Sequence, residues 1–551
     1  MDTESFDYIV VGGGSAGCIV AARLSEVGTV LLLEAGEPAT AHPETLSSDG
    51  FKYAFANDAL MWHRMSAPQA HCGGRSVFIG TGRGMGGSGS VNGMVYTRGD
   101  RHDFEAWPEG WRWDDIAPAY DAVESRIGIG PRPPTPFAEA FLSSAVATGF
   151  ARKDHMNDGD LAGVAGCNDM NYSGEQRRSS YRAFLHDAVP PNLTLRTGAT
   201  VRRLLFDDAR RAVAVEYEWQ GAVRLAGVFR EVVMCAGALV TPHLLMLSGV
   251  GPKADLVAAG ISPVLDAPGV GRHLQDHPNV CIFYRADTPI DFQYPQLYGF
   301  DAARAPEGRQ RGAAPDTCYV CYAAPASLQQ SMQRMVPILA LPGRLYHSRI
   351  LRGLFRGLVN AAFRLPSLRR FVGSVFGIVV ILGKPTSRGS VRVVSANPAV
   401  PPRIDPAYYA TEEDRAVMRA AIERARAIAA KPALKAAGTR PLSAGAKPVP
   451  EKALWKWVHG ATMTTFHFCG TCRMGVDADS PLDTSLRVKG LANVRVADAS
   501  AVPEIPVSAL NAPSMMIAWR AADFMLAERR DAGADILPFT PPRRAAAGEP
   551  A

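Results

Sequence analysis

Residues 6–26 read FDYIVVGGGSAGCIVAARLSE, and residues 29–36 read TVLLLEAG. A short apolar run ends in glycines that cannot prolong it, a helical stretch carries Ala21, Ala22 and Leu24, and a second apolar run follows. This is the pattern of a βαβ unit. Gly12, Gly14 and Gly17 form G-x-G-x-x-G directly after the first strand and at the opening of the helix. Such glycines let backbone approach a pyrophosphate, and the helix N-terminus favours its negative charge. Glu34 closes the second strand, where an acid accepts hydrogen bonds from ribose hydroxyls and selects an adenosine without a 2′-phosphate, hence FAD or NAD. A merely tight turn is the competing reading of a bare G-x-G-x-x-G. The strand, helix, strand and acid around this one weaken it.

Working outward, 551 residues suggest two domains, and 47% apolar with 20% charged residues excludes wholesale disorder. A net charge of +6 is too small a bias over this length for a nucleic-acid protein. Nine cysteines, an odd number, argue against a full disulfide framework and for a reducing, cytoplasmic setting. The start of the chain shows no signal-peptide pattern. The run Phe371 to Gly383 falls short of the ~20 residues of a membrane-spanning helix.

A second glycine cluster, GTGRGMGGSGSVNG, occupies residues 80–93 and implies backbone held close to something bulky. Residues 192–219 read as paired strands, 230–238 as a buried strand and 241–249 as a helix, which continues the α/β alternation. Residues 411–430 read as a surface helix with Thr411 as N-cap, 493–500 as a buried strand, and 513–528 as a helix. From Thr317 to Ile404 there are 12 Lys or Arg and no acid, so the rest of the chain is net acidic. Within that segment Arg349, Arg352 and Arg356 share one helical face, with Leu351, Leu354, Leu358, Ala362 and Leu365 near the other. Two readings of residues 344–370 stand: a solvated helix over a substrate entrance, or peripheral contact with an anionic membrane on its inner face.

Four blocks resemble the glucose-methanol-choline (GMC) flavoprotein oxidoreductases, in their choline/alcohol dehydrogenase-like bacterial branch. They are the N-terminal fingerprint, GRGMGGSGSVNGMVYTRG (82–99), GALVTPHLLMLSGVGP with PGVGRHLQDHP (237–278), and HFCGTCRMG with the stretch 480–523. The resemblance implies FAD rather than NAD. Gly12, Gly14, Ser15 and Ala16 would hold its pyrophosphate, Glu34 its ribose, and Val201 its adenine through the backbone. Gly86, Gly87, Asn92, Gly93, Met94 and Val95 would line the flavin. Asp498, Ala499 and Asn511 would reach the pyrophosphate side and the pyrimidine end of the ring. Val91 stands where some members carry a tethering histidine, so non-covalent FAD is expected.

The resemblance makes His467 the catalytic base that takes a hydroxyl proton as hydride leaves a primary or secondary alcohol, the reduced cofactor then passing electrons to oxygen, a quinone or another acceptor. The usual second polar residue, two positions before Asn511, is Ala509 here, which keeps open a lyase, cyclase or decarboxylase and a non-catalytic FAD-bound protein. Ser508 and Asn511 are the nearby polar substitutes. The pairs Cys318/Cys321 and Cys469/Cys472 have metal-like spacing, but no metal is expected.

The implied fold is α/β: a Rossmann-like FAD-binding domain over 1–160, 195–275 and 465–530, beside an α+β substrate domain over 161–194 and 276–464 on a mostly antiparallel sheet. Residues 531–551 read as a C-terminal tail. The substrate is expected to be a small alcohol, with a lipophilic one suiting membrane contact.

Overall fold

The computed structural model describes residues 4–294, 297–304, 314–341, 343–346 and 348–532; from 533 on, the expected tail lies outside them. The strand Glu4–Val11, helix Ser15–Leu24 and strand Val30–Glu34 form as the opening sequence dictates. The two strands pair in parallel, Tyr8 opposite Val30 and Val11 opposite Leu33. Val30–Glu34 is buried throughout, as a parallel strand covered on both faces must be. Leu193–Thr197 joins its far edge in parallel rather than pairing with the neighbouring strand Thr200–Phe206. That strand instead pairs antiparallel with Ala212–Trp219. Ala222–Met234 then returns beside Glu4–Val11, with Val494–Val496 on its other side. Seven strands among the described residues make this sheet, and a C-terminal helix longer than the sequence suggests, Asn511–Ala532, packs on Ser15–Leu24.

A second sheet of eight described strands is antiparallel except for Ala151–Lys153 beside Val164–Cys167. The chain therefore enters this sheet at Ala151, before the boundary expected at 160. Its centre is Val375–Leu382, held between Pro278–Arg285 and Thr317–Ala323. The apolar run that is too short to span a membrane is thus mostly a sheet core strand, rich in the β-branched and aromatic residues that suit one. The helix Glu412–Ala429 buries Val417, Met418, Ala421, Ile422 and Ala425 against this sheet. Thr411 accepts from the Asp414 N–H as its cap.

The acid-free segment forms the helices Ala324–Ala340, Gly343–Tyr346, Arg349–Ala362 and Pro366–Gly373. The arginine face was expected to meet solvent or lipid, and here the structure corrects the reading. Arg352 and Arg356 turn inward with Arg334 onto one carboxylate, Asp58, at 3.3, 2.8 and 2.6 Å.

Candidate active site

The loop after Glu4–Val11 is a cradle that Cβ atoms would destroy. Gly12 sits at φ +103°, and a Cβ there would lie 2.5 Å from the Cys235 carbonyl oxygen; at Gly17 it would lie 1.8 Å from the carbonyl of Gly12. At Gly14 the corresponding position is open, with no atom nearer than 3.9 Å, and no side chain caps the helix that starts there. Its first N–H groups therefore remain available to an anion, an interaction worth about 0.3–1 kcal/mol or more when partly buried. The second glycine block lies directly against this loop. Gly86 N–H donates to Gly13 O at 2.7 Å, and a Cβ on Gly87 would meet Gly14 Cα at 2.8 Å. Ser15 Oγ donates to Asn511 Oδ1 at 2.7 Å, bringing residues 496 apart in the chain to one point.

Glu34 organises the same place. Its carboxylate accepts from the N–H groups of Gly13, Gly36 and Gly84 at 2.8, 2.7 and 3.0 Å. Burial pushes its pKa up, and those amides offset only part of the rise. With about four lone-pair sites, the carboxylate keeps one for a ribose hydroxyl. Ala199 N–H donates to the Glu34 carbonyl, which sets the strand carrying Val201 beside it.

Asp498 is anchored by its side chain. Its side chain is spent inside the protein, accepting from Gly237 N–H at 2.8 Å, Thr241 Oγ1 at 2.6 Å and both donors of Ser500. It fixes the turn Ala499–Ala501 and the helix Thr241–Leu247. Asn92 is held from behind by Arg177, whose guanidinium donates to Asn92 Oδ1, Asn92 O and Gly89 O. Arg177 is fully buried with no carboxylate partner among the described residues, and burial lowers its pKa to about 9. Met94 takes φ +64°, and both Met94 and Val95 are buried behind Gly93.

His467 lies on a loop pinned by the segment QDHP, residues 275–278. Its backbone N–H donates to Asp276 Oδ1 at 2.8 Å, while Asp276 Oδ2 accepts from Tyr408 and Thr464, both at 2.5 Å. Cys469 and Gln275 exchange both backbone hydrogen bonds, and the Gln275 amide clamps Pro503 O and Ile505 N–H. The His467 ring meets a second imidazole, His277, with their Nδ1 atoms 2.9 Å apart. His467 is half-buried, and desolvation lowers its pKa to about 4; fully buried His277 is also held well below its ordinary value by desolvation. Both rings are neutral at pH 7. His277 Nε2 makes no hydrogen bond of good geometry, yet the carbonyls of Gly383 and Pro506 face this ring and favour a proton on it.

Ala509 is apolar and nearly buried, and each suggested substitute already holds one partner. Ser508 accepts from Thr97 Oγ1 at 3.2 Å, and Asn511 is engaged with Ser15. Cys469 and Cys472 are buried, their thiols pushed up by desolvation, and no three metal-ligating side chains cluster among the described residues.

A glycine cradle at a helix N-terminus, a second glycine block packed on it and a histidine loop converging on residues 503–511 coincide with two family models, both of GMC oxidoreductase, matching residues 6–279 and 385–518. The chain belongs to the GMC oxidoreductase family. It is 33% identical to the oxygen-dependent choline dehydrogenase of Vibrio vulnificus (strain YJ016), covering 95% of this chain and 94% of that protein. To the alcohol dehydrogenase [acceptor] of Pseudomonas putida it is 32% identical, covering 95% and 96%. Among solved structures, pyridoxine 4-oxidase from Mesorbium loti superposes with a TM-score of 0.80 at 30% identity, covering 94% and 98%. This GMC protein is an FAD-dependent oxidoreductase of alcohol-type donors. The open position at Gly14, the uncapped helix and the lone pair left on Glu34 fit that cofactor.

Sequence reasoning missed His277, Asp276 and Arg177. The first two carried a signal, because they stand in the family-like stretch PGVGRHLQDHP. Arg177 lies in GEQRRSS, where nothing separates it from a surface arginine.

Proposed function

We propose that His467 is the base for oxidation of an uncharged, apolar primary or secondary alcohol, with His277 orienting its ring from the side away from the substrate. The contact between His277 and His467 carries the reading. In this reading the single proton of neutral His277 sits on Nε2, and its Nδ1 accepts across the 2.9 Å contact. His467 then donates through Nδ1–H and presents the Nε2 lone pair to the substrate hydroxyl. Asp276 pins the backbone of the loop, and the contact with His277 holds the ring. An alkoxide forming beside His467 would raise its low basicity, because opposite charge offsets burial. FAD, held non-covalently by the glycine cradle, would supply the hydride acceptor.

The aromatic residues beside this loop argue for the donor class. Phe466 precedes the base and packs edge-on with Phe55 and Phe78 at centroid distances of 6.1 and 6.3 Å. The Arg334 guanidinium lies over Phe78 and Phe55 at 5.2 and 5.9 Å, putting positive charge where a quaternary ammonium would need a bare ring. Choline is therefore a poor substrate in this reading. Nine free thiols support a cytoplasmic setting, and oxygen or a quinone would reoxidise the cofactor.

Anaerobic addition of aliphatic or benzylic alcohols should bleach the flavin band, and choline should not. His467→Gln should slow bleaching by about 10²–10⁴-fold with flavin content unchanged. In wild type the acid limb of kcat/KM should fall near pH 4, where His467 protonates. Product without bleaching would assign the site to non-oxidative chemistry and overturn the proposal.

A further inference from the structure

With Arg352 and Arg356 turned inward onto Asp58, the helix Arg349–Ala362 must present its other face to the outside. Ile350, Leu354 and Leu358 are 84%, 59% and 58% exposed, at a spacing of four that places them in one stripe. Leu339 and Leu345 on the adjoining helices and Leu365 in the link to Pro366–Gly373 are exposed as well, and Val359 is the one buried residue of Arg349–Ala362. Single exposed leucines need no explanation, but a continuous apolar stripe on a folded surface does.

The charge at its rim says what covers it. Arg349, Arg364 and Arg370 are exposed, pair with no carboxylate among the described residues, and belong to a segment without one Asp or Glu from Thr317 to Ile404. A second copy joined by a twofold axis would set this rim against itself, arginine facing arginine. An anionic lipid surface answers both features, taking leucines at the acyl boundary and guanidinium groups at the phosphates.

We propose that the outer face of the helices 324–373 docks this protein on the anionic surface of a lipid bilayer. The contact is peripheral, since no helix among the described residues is long and apolar enough to cross a membrane. The inner side of the same helices meets the aromatic cluster at Phe55 and Phe78 through Arg334, so docking would bring the aromatic residues beside His467 near the source of apolar alcohols. That last step rests on the proposed donor class; the docking itself does not.

The test is flotation of the holoenzyme with vesicles of phosphatidylcholine alone or mixed with phosphatidylglycerol. Wild type should float with the mixed vesicles, and added salt should weaken this. The double variant Leu354→Glu, Leu358→Glu should lose binding by more than about tenfold. The variant Arg364→Glu, Arg370→Glu should lose the salt-sensitive part. Both should keep wild-type turnover of a short water-soluble alcohol, which shows that they are folded. Wild type that stays with the unbound protein would overturn the proposal, as would glutamate variants that float like wild type. So would sedimentation showing a dimer that those glutamates dissociate. Vesicle binding without alcohol-dependent bleaching would sink the donor reading and leave the docking surface standing.

Discussion

Two carboxylates anchor two parts of this molecule, and each does so with three partners of a different kind. Glu34 collects the backbone N–H groups of Gly13, Gly36 and Gly84, tying three loops into the cofactor cradle. Asp58 collects the guanidinium groups of Arg334, Arg352 and Arg356, tying the helical segment 324–373 to the turn after Phe55. Backbone amides are fixed dipoles whose positions the chain has already set. Arginine side chains must give up about 2 kcal/mol of rotamer entropy each to be held. The titrations diverge accordingly: burial leaves Glu34 raised, whereas at Asp58 burial also pushes upward but Arg356, Arg334 and Arg352 outweigh it and hold the carboxyl low. The first arrangement makes a rigid frame and the second a latch.

Glu34→Gln strikes the frame and should have the largest effect. An amide offers one acceptor oxygen where two are used and turns a donor toward other donors, so one buried N–H is stranded at a cost of about 1–3 kcal/mol. The variant should purify with little flavin and a lowered melting temperature. A wild-type ratio of flavin to protein absorbance would show that the cradle holds its shape without the charge. Asp58→Asn strikes the latch and should do less, and only locally. It leaves the fully buried Arg334 without its counter-ion, so hydrogen exchange should quicken in the helices Ala324–Ala340 and Arg349–Ala362 while flavin content stays constant. Loss of flavin in this variant would mean that frame and latch open together.

The two regions also differ in how far their sequence could be read. The cradle is local: Gly12, Gly14, Gly17 and Glu34 lie within 23 residues, and Gly12 and Gly17 answer steric demands that a motif records. The latch is not. Arg356 and Asp58 are 298 residues apart, and an amphipathic pattern is symmetric, telling that a helix has two faces but not which one is turned inward. That choice was made by a single distant carboxylate. The same limit hid the partner of His467, because His277 stands 190 residues away and its pairing exists only in space. Asp498 shows the converse, a residue in the right motif whose side chain is used up by Gly237, Thr241 and Ser500.

The smallest effect separates frame from latch by the sign of their response to acid. Asp58 has a folded pKa below its ordinary 3.8, so its contribution is complete above that value and is lost as pH falls through the folded one. Glu34 lies above its ordinary 4.5, so its contribution is complete below that value and shrinks as pH rises through the folded one. Acidification from about pH 6 to about pH 3 should therefore loosen the latch and spare the frame. Because Asp58 is partly exposed, the change should be about 1 kcal/mol or less. Hydrogen exchange corrected for its intrinsic pH dependence should show protection falling in Arg349–Ala362 while Val30–Glu34 keeps its own. If the strand loses protection first, the backbone amides at Glu34 are the weaker anchor, and the order of the two regions is the reverse of the one their partners imply.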